Sequence, residues 1–447
     1  MTANVGKLKG GPQRFVVAPV ETVGGEITVP GDKSITHRAA MLASVACGTS
    51  RIHDFLGGDD CLATLEAFRA LGVAIETDEH GVLEIEGRGL AGLRAPAHPL
   101  DLGNSGTALR LMAGLLAAQP FDVELTGDDS LRSRPMARIA DPLGAMGARI
   151  DTAGGRAPLV IRSGARLKGI EYALPVASAQ VKSALLLAGL SAVGRTTLRS
   201  PGPTRDHTER MLPGMGVPVD EDAHSNVVSL EGPAEPRAIE ITVPGDFSSA
   251  AFFIVAGCLA ANDGMTIRNV GVNPTRTGLL TILRAMGAEI ELSAIRTMGG
   301  EQVADIHVRQ CPLRGIEVPP HLVPLAIDEF PILFIAAAGA AGRTIVRGAQ
   351  ELRHKECDRL SVMASALNAL GIDARELPDG LIIEGGRFKG GRAASHGDHR
   401  VAMALAVASV LSERPIEILD TAQVATSFPG FTAVAAQTGI AVESRRL

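Results

Sequence analysis

Two kinds of helix alternate along this chain. Six stretches are apolar nearly all round: Ser34 to Val45, Thr107 to Ala118, Ala179 to Leu190, Ser248 to Ala260, Phe330 to Ala338 and Arg400 to Leu411. A helix with no polar face is one that lies buried. Other segments carry apolar residues on one face only, as in Ala63 to Gly72, where Leu65, Phe68 and Leu71 align. These close on Gly72, Gly147, Gly216, Gly287, Gly371 and Gly439, glycine being the residue that best tolerates the left-handed conformation ending a helix. Short β-branched runs predict strands, at Val73 to Glu76 and Val82 to Glu86 after the first glycine, and at Val123 to Thr126, Thr196 to Leu198 and Thr344 to Val346 after buried helices. The order helix, strand, helix, strand, strand recurs six times, with glycine spacings of 75, 69, 71, 84 and 68 residues. Units of this length exceed the roughly 20 to 50 residues of solenoid repeats. The pattern therefore predicts an α/β fold of two similar domains, each of three repeated βαβαββ-type units with buried helices.

A second repeat marks where the chain divides. Ile-Thr-Val-Pro-Gly-Asp occurs at Ile27 to Asp32 and again at Ile241 to Asp246. The first copy continues into Lys33-Ser34-Ile35-Thr36-His37-Arg38, the second into Phe247-Ser248-Ser249-Ala250 without a cation, which predicts a helix whose chief task is packing. The sixth unit ends at Leu447 before its last strand, and the N-terminal segments Phe15 to Ala18 and Glu26 to Val29 are the natural replacement. The expected domains are residues 33–243 and residues 1–32 plus 244–447, with crossings near 30–33 and 244–246 that are candidate hinges.

Composition narrows the class further. The chain has 447 residues, 46% of them hydrophobic, with 51 Gly and 26 Pro, the profile of a globular protein rich in tight turns. A net charge of -6, no Trp and one Tyr exclude a base-stacking nucleic-acid surface. No apolar stretch is long enough for a membrane span, and Met1 to Phe15 lacks the apolar core of a signal peptide. Five cysteines without metal-ligand spacing fit reduced thiols. A cytoplasmic monomer without metal or cofactor is expected.

The starts of the apolar helices carry clusters of polar residues: Lys33-Ser34, Asn104-Ser105-Gly106-Thr107, Ser178-Ala179-Gln180-Val181-Lys182, Asp328-Glu329 and His396-Gly397-Asp398-His399-Arg400. Helix N-termini present free N–H groups and positive dipole ends, so they attract anions. Loops before the amphipathic helices add Arg132, Arg134, Arg205, Arg276, Arg353, Lys355 and Arg359. Taken singly, Ser178 or Asn104 reads as a helix cap, Arg276 and Arg353 as solvated surface, and Asp128-Asp129 as a turn cap. His396 and His399 lack a third metal ligand, and Cys357 has no triad around it. Recurrence at matching places in the repeats favours a site for small polyanions.

The motifs Gly31-Asp32-Lys33-Ser34, Leu102-Gly103-Asn104-Ser105-Gly106-Thr107, Arg134-Pro135-Met136, Ser178-Ala179-Gln180, Asp328-Glu329, Lys355-Glu356-Cys357-Asp358-Arg359 and Asp398-His399-Arg400 resemble the 5-enolpyruvylshikimate-3-phosphate (EPSP) synthase family over nearly the whole chain. The resemblance implies two three-unit domains closing over a cleft. It also implies enolpyruvyl transfer from phosphoenolpyruvate to the 5-hydroxyl of shikimate 3-phosphate, a step of aromatic amino-acid biosynthesis. By the same resemblance Lys33, Ser34, Arg38, Ser178, Ala179, Gln180, Arg205, Asp328 and Lys355 bind shikimate 3-phosphate. Lys33, Gly106, Arg134, Gln180, Arg359 and Arg400 bind phosphoenolpyruvate, and Asp328, Glu356 and Lys33 carry the proton transfers. Three guanidiniums suit a ligand bearing both carboxylate and phosphate, each of which accepts paired hydrogen bonds.

Some positions depart from the commonest bacterial pattern. Thr426 stands where many members have lysine, and Glu351 where many have asparagine. The segments Arg205-Asp206-His207-Thr208-Glu209 and Asn273-Pro274-Thr275-Arg276 resemble the class II branch, known for glyphosate tolerance. Gly106 stands where tolerant members have alanine, which leaves room for glyphosate as a competitive inhibitor. Two alternatives are UDP-N-acetylglucosamine enolpyruvyl transferase, whose loop cysteine has no counterpart in Leu125 to Pro135, and a non-catalytic phosphosugar-binding protein, which has no need of Asp328, Glu356 and Lys33 together.

Overall fold

A computed structural model describes residues 13–446. Residues 1–12, which the expected division counts with the C-terminal domain, and Leu447 lie outside the described residues. The fold is α/β, built among the described residues from six small sheets, five of them mixed and one antiparallel. The apolar helices form as Lys33–Ser44, Gly106–Leu116, Ala179–Gly189, Phe247–Ala260, Phe330–Gly339 and His399–Val407, the last continuing as a 3-10 turn over Ala408–Leu411. The amphipathic ones are Asp59–Ala70, Ala137–Ala145, His207–Gly214, Gly278–Ala285, Arg359–Ala369 and Phe431–Gln437. All six closing glycines have positive φ, between +81° and +105°, which a side chain would strain.

In each unit the strand after the buried helix pairs antiparallel with the last strand of the unit and, in five of the six sheets, parallel with a short edge strand. Leu100–Asp101 and Glu171–Ala173 are such edges. The fifth sheet has three strands, Arg343–Ile345, Gly380–Glu384 and Ala374–Leu377, and Glu317 makes only an isolated parallel bridge to Ile345.

Three pairings tie distant parts of the chain. Gln13–Val17 lies antiparallel between Ile416–Leu419 and Val442–Arg446, with Phe15 opposite both Ile418 and Ser444. Gly25–Thr28 edges the sheet of Met265–Gly271, and Glu240–Thr242 edges that of Cys47–His53. Each strand that leads into a Pro-Gly-Asp thus belongs to the sheet of one core, while the helix that follows belongs to the other. The two Pro-Gly-Asp segments pair with each other. The Asp32 N–H donates to the Pro244 carbonyl and the Asp246 N–H to the Pro30 carbonyl, both at 2.8 Å.

Two hydrophobic clusters result. One is made by residues from Ile35 to Val243. The other runs from Phe247 to Ile440 and takes in Phe15, Val17, Val23, Ile27 and Val29. In the second, Phe428 stacks edge-on with Phe431 (5.5 Å between ring centroids) and Phe253 (6.2 Å). Burying each such ring stabilises by roughly 1.5 to 3 kcal/mol, and together they anchor Phe428 beside Ser427, whose hydroxyl accepts from Lys33. In the first cluster the Gly106–Leu116 and Ala179–Gly189 helices touch backbone to backbone. A Cβ on Gly114 would fall 2.0 Å from the Ala184 carbonyl oxygen.

Three loop cations do not behave as their sequence context implies. Arg276 is no surface residue, being 3% exposed. It binds Asp32 and, at 3.1 Å, Asp246, the two helix caps at the crossings. Arg353 pairs with Asp358 and Glu376 and donates to the Leu377 and Pro378 carbonyls. Arg132 turns to its neighbour Asp129 on the surface. The Phe247–Ala260 helix is wholly buried, yet packing is not its only task. Ser248 Oγ accepts from Arg276 at 2.6 Å and donates to Glu329.

Candidate active site

Buried helices aim their N-termini at one cleft of about 440 Å³. Asp32, Ser105, Ser178, Asp246 and Asp398 each cap such a helix by accepting from its first-turn N–H groups, and the converging dipoles make the cleft attractive to anions. Lining it from the first core are Lys33, Ser34, Asp60, Gly106, Arg110, Arg134, Arg138, Ser178, Ala179, Gln180 and Arg205; facing them from the second are Asp246, Arg276, Asp328, Glu351, Lys355, Glu356, Arg359, His399 and Arg400.

Arg359 organises the second side. It is 1% exposed and donates through Nε to Asp398 at 2.8 Å and through Nη2 to Glu356 at 2.7 Å. Its Nη1 lies 3.7 Å from Asp328 and has no hydrogen-bond partner. Asp398 is itself fully buried and accepts the backbone N–H groups of Arg400 (2.9 Å) and Val401 (3.2 Å), so one carboxylate fixes both a guanidinium and a helix start. Asp328 receives Lys355 at 3.2 Å and Arg205 from the opposite side. Arg400 donates to the Asp328 carbonyl at 3.2 Å.

On the first side Lys33 Nζ pairs with Asp60 and donates to Ser427 Oγ at 2.9 Å. Arg134 donates to Asn104 at 2.6 Å and stands 3.9 Å from Glu356. Gln180 accepts from Arg110 at 2.6 Å and donates to Thr107 at 3.0 Å.

These neighbours set the charge states. Burial pushes the Asp328 carboxyl up, but Lys355, Arg205, Arg400 and Arg359 outweigh it and hold it well below the usual carboxylate range. In Glu356 burial is likewise overcome, by Arg359, His399, Arg134 and Lys355. Burial opposes the charge on Lys33, and Asp60 more than restores it. His399 goes the other way, lowered to about 4 by burial, with Lys33 and Arg400 adding to the effect. The cleft thus holds two carboxylates among basic side chains, with a neutral imidazole beside them.

Every expected site residue lines this cleft except Arg38. Its guanidinium turns inward, donating to Thr208 and Ser183 at 2.8 Å and to the Ser34 carbonyl at 3.0 Å. Thr426 does not line the cleft either, and its hydroxyl closes its own turn on Gln423. Several charged residues of the site carry no role assigned from the sequence, among them Arg110, Asp60 and Asp398. Arg110 had a readable signal, a charge inside an otherwise apolar helix, whereas Asp60 looks like an ordinary first-turn acid and Asp398 like an ordinary cap. Among the described residues no group of three or more His, Cys, Asp or Glu side chains converges as a metal site, and no helix is long and apolar enough to cross a membrane.

This fold is shared with solved enolpyruvyl transferase and EPSP synthase structures. The chain matches the enolpyruvyl transferase NikO of Streptomyces tendae with a TM-score of 0.78 over 98% of this chain and all of that one, at 19% identity, a likeness of fold alone. Within that class the chain belongs to the EPSP synthase (3-phosphoshikimate 1-carboxyvinyltransferase) family, whose sequence model matches residues 17–434. A 3-phosphoshikimate 1-carboxyvinyltransferase of Methylococcus capsulatus is 56% identical over 430 residues, 96% of this chain and 98% of the relative. The EPSP synthase of Acinetobacter baumannii has a TM-score of 0.87 at 49% identity, covering 97% of this chain and all of that one. As a member of this family the protein is a transferase of the shikimate pathway. It moves the enolpyruvyl group of phosphoenolpyruvate to the 5-hydroxyl of shikimate 3-phosphate, with release of phosphate.

Proposed function

We propose that Asp328 and Glu356 are the proton-transfer pair of this reaction and that Lys33 supports them. The observation that carries this reading is the buried Arg359, bonded to Glu356, close to Asp328, and left with an Nη1 that has no hydrogen-bond partner. A buried guanidinium N–H without a partner is costly, and an anion between the two carboxylates removes that cost. Asp328 takes the proton of the 5-hydroxyl, whose oxygen bonds to C2 of phosphoenolpyruvate while C3 receives a proton from Glu356. The tetrahedral adduct then loses phosphate as C3 returns its proton, which restores the enol ether. To act as the acid Glu356 must first be protonated. The donor's own negative charges offset Arg359 and Arg134, two of the cations that hold Glu356 ionised, and so raise its proton affinity.

Phosphoenolpyruvate is assigned to Lys33, Arg134, Gln180, Arg359 and Arg400, with Gly106 leaving it space. Shikimate 3-phosphate is assigned to Lys33, Ser34, Ser178, Ala179, Gln180, Arg205, Asp328 and Lys355. Arg38 acts from behind, holding the Ser34 carbonyl and Ser183. We take residues 33–243 as one domain and 244–446 with the N-terminal strands as the other, hinged at the paired Pro-Gly-Asp segments. The protein works as a cytoplasmic monomer, and glyphosate competes with phosphoenolpyruvate.

Phosphate release tests the reading. Shikimate 3-phosphate with phosphoenolpyruvate should release phosphate, and UDP-N-acetylglucosamine in place of the acceptor should not. Folded protein active only with the nucleotide sugar would overturn it.

A further inference from the structure

We infer that Asp328 holds Arg205 across the cleft and that the acceptor's phosphate draws this arginine away, so that filling the acceptor subsite and freeing the base are one event. The inference rests on the assignment of shikimate 3-phosphate given above. Four cations act on Asp328: Lys355, Arg205, Arg400 and Arg359. Three come from its own side of the cleft. Arg359 is also bonded to Asp398 and Glu356, Arg400 donates to the Asp328 carbonyl, and Lys355 takes the other carboxylate oxygen, Oδ1.

Arg205 alone arrives from across the cleft, on the segment that precedes the His207–Gly214 helix. Its Nη2 donates to Asp328 Oδ2, and among the described residues its side chain has no other hydrogen-bond or ion-pair partner. The Arg205 side chain is 23% exposed, so a ligand can reach it. A phosphate dianion carries more charge than a carboxylate and accepts both prongs of the guanidinium fork, so it competes effectively for Arg205. Withdrawing one of four cations raises the proton affinity of Asp328, which strengthens it as a base. Arg205 therefore acts in two ways, as an acceptor ligand and as a positioning residue working through Asp328.

The test is a double-mutant cycle read as dissociation constants for shikimate 3-phosphate, measured by calorimetry on the full chain without phosphoenolpyruvate. The four proteins are the parent, Arg205→Gln, Asp328→Asn and the double variant. In the parent, part of what Arg205 gives to binding is spent on breaking its pair with Asp328; in Asp328→Asn that penalty is gone. Losing Arg205 should therefore weaken binding more in the Asp328→Asn background than in the parent, by roughly fivefold or more. Equal losses in the two backgrounds, or a smaller loss in Asp328→Asn, overturn the inference while leaving the site assignment standing. A folded parent that does not bind shikimate 3-phosphate overturns both. The same cycle built on Arg205→Lys, which keeps the charge but loses the fork, carries the test should Arg205→Gln not fold: coupling of the same sign supports the inference, and additivity overturns it.

Discussion

At the residue scale, Gly106 decides how much room the cleft has beside Arg110 and Arg134. A Cβ there would lie 2.9 Å from Arg110 Nη1 and 3.2 Å from Arg134 Nη1. Arg110 is pinned by Gln180 and Arg134 by Asn104, so neither retreats freely. Gly106→Ala should raise the glyphosate inhibition constant by roughly tenfold or more, about 1.4 kcal/mol, and raise the KM for phosphoenolpyruvate by less. An unchanged inhibition constant would sink this account. The buried histidines give a pH prediction. His399 is lowered to about 4 and His37 to about 3, both by burial first. Each stays neutral in the fold while the unfolded chain takes up a proton below about 6.5, so stability should fall as pH drops from about 6.5 to about 3 to 4 and level off below. Chemical denaturation across that range should show the slope, and His37→Gln should reduce it; a slope of opposite sign would refute the assignment. Sequence motifs identified the charged lining well, because arginines and carboxylates at helix starts are recognisable by type. They could not identify Asp60 or Asp398, whose importance lies in which distant cation each one meets.

At the element scale, the buried helices were legible because an all-apolar stretch has few alternatives to burial, and the closing glycines fixed where the amphipathic helices end. The short edge strands, Leu100–Asp101, Glu171–Ala173 and Glu240–Thr242, carry too few residues for a periodicity and are made by pairing with a neighbour. The burial of Arg276 is hidden from the sequence for a related reason. A loop arginine looks solvated until the fold brings Asp32 and Asp246, 214 positions apart, to either side of it. The close contact of the Gly106–Leu116 and Ala179–Gly189 helices is directly testable. Gly114→Ala would drive a methyl into the Ala184 carbonyl and should destabilise by about 1 to 3 kcal/mol in denaturant titration, whereas Gly144→Ala, where a Cβ meets nothing within 4 Å, should not. Equal stability of the two variants would contradict the packing described.

At the scale of the whole molecule, the two copies of the repeated hexapeptide, far apart in the chain, pair with each other where the chain passes between the two hydrophobic clusters. Two Pro-Gly-Asp segments lie antiparallel, each capping a helix whose N-terminus faces the cleft, with Arg276 between the caps. Opposed halves bring Lys33, Arg134 and Arg205 from one side to Asp328, Glu356 and Arg359 on the other. Single-turnover phosphate release by Glu356→Gln and Asp328→Ala tests most directly the proton-transfer roles proposed for these two carboxylates. With shikimate 3-phosphate and phosphoenolpyruvate the parent should release one phosphate per enolpyruvyl transferred, while each variant, folded by circular dichroism, should lose at least about 100-fold in rate. Release at the parent's rate from either variant would contradict the role assigned to that residue.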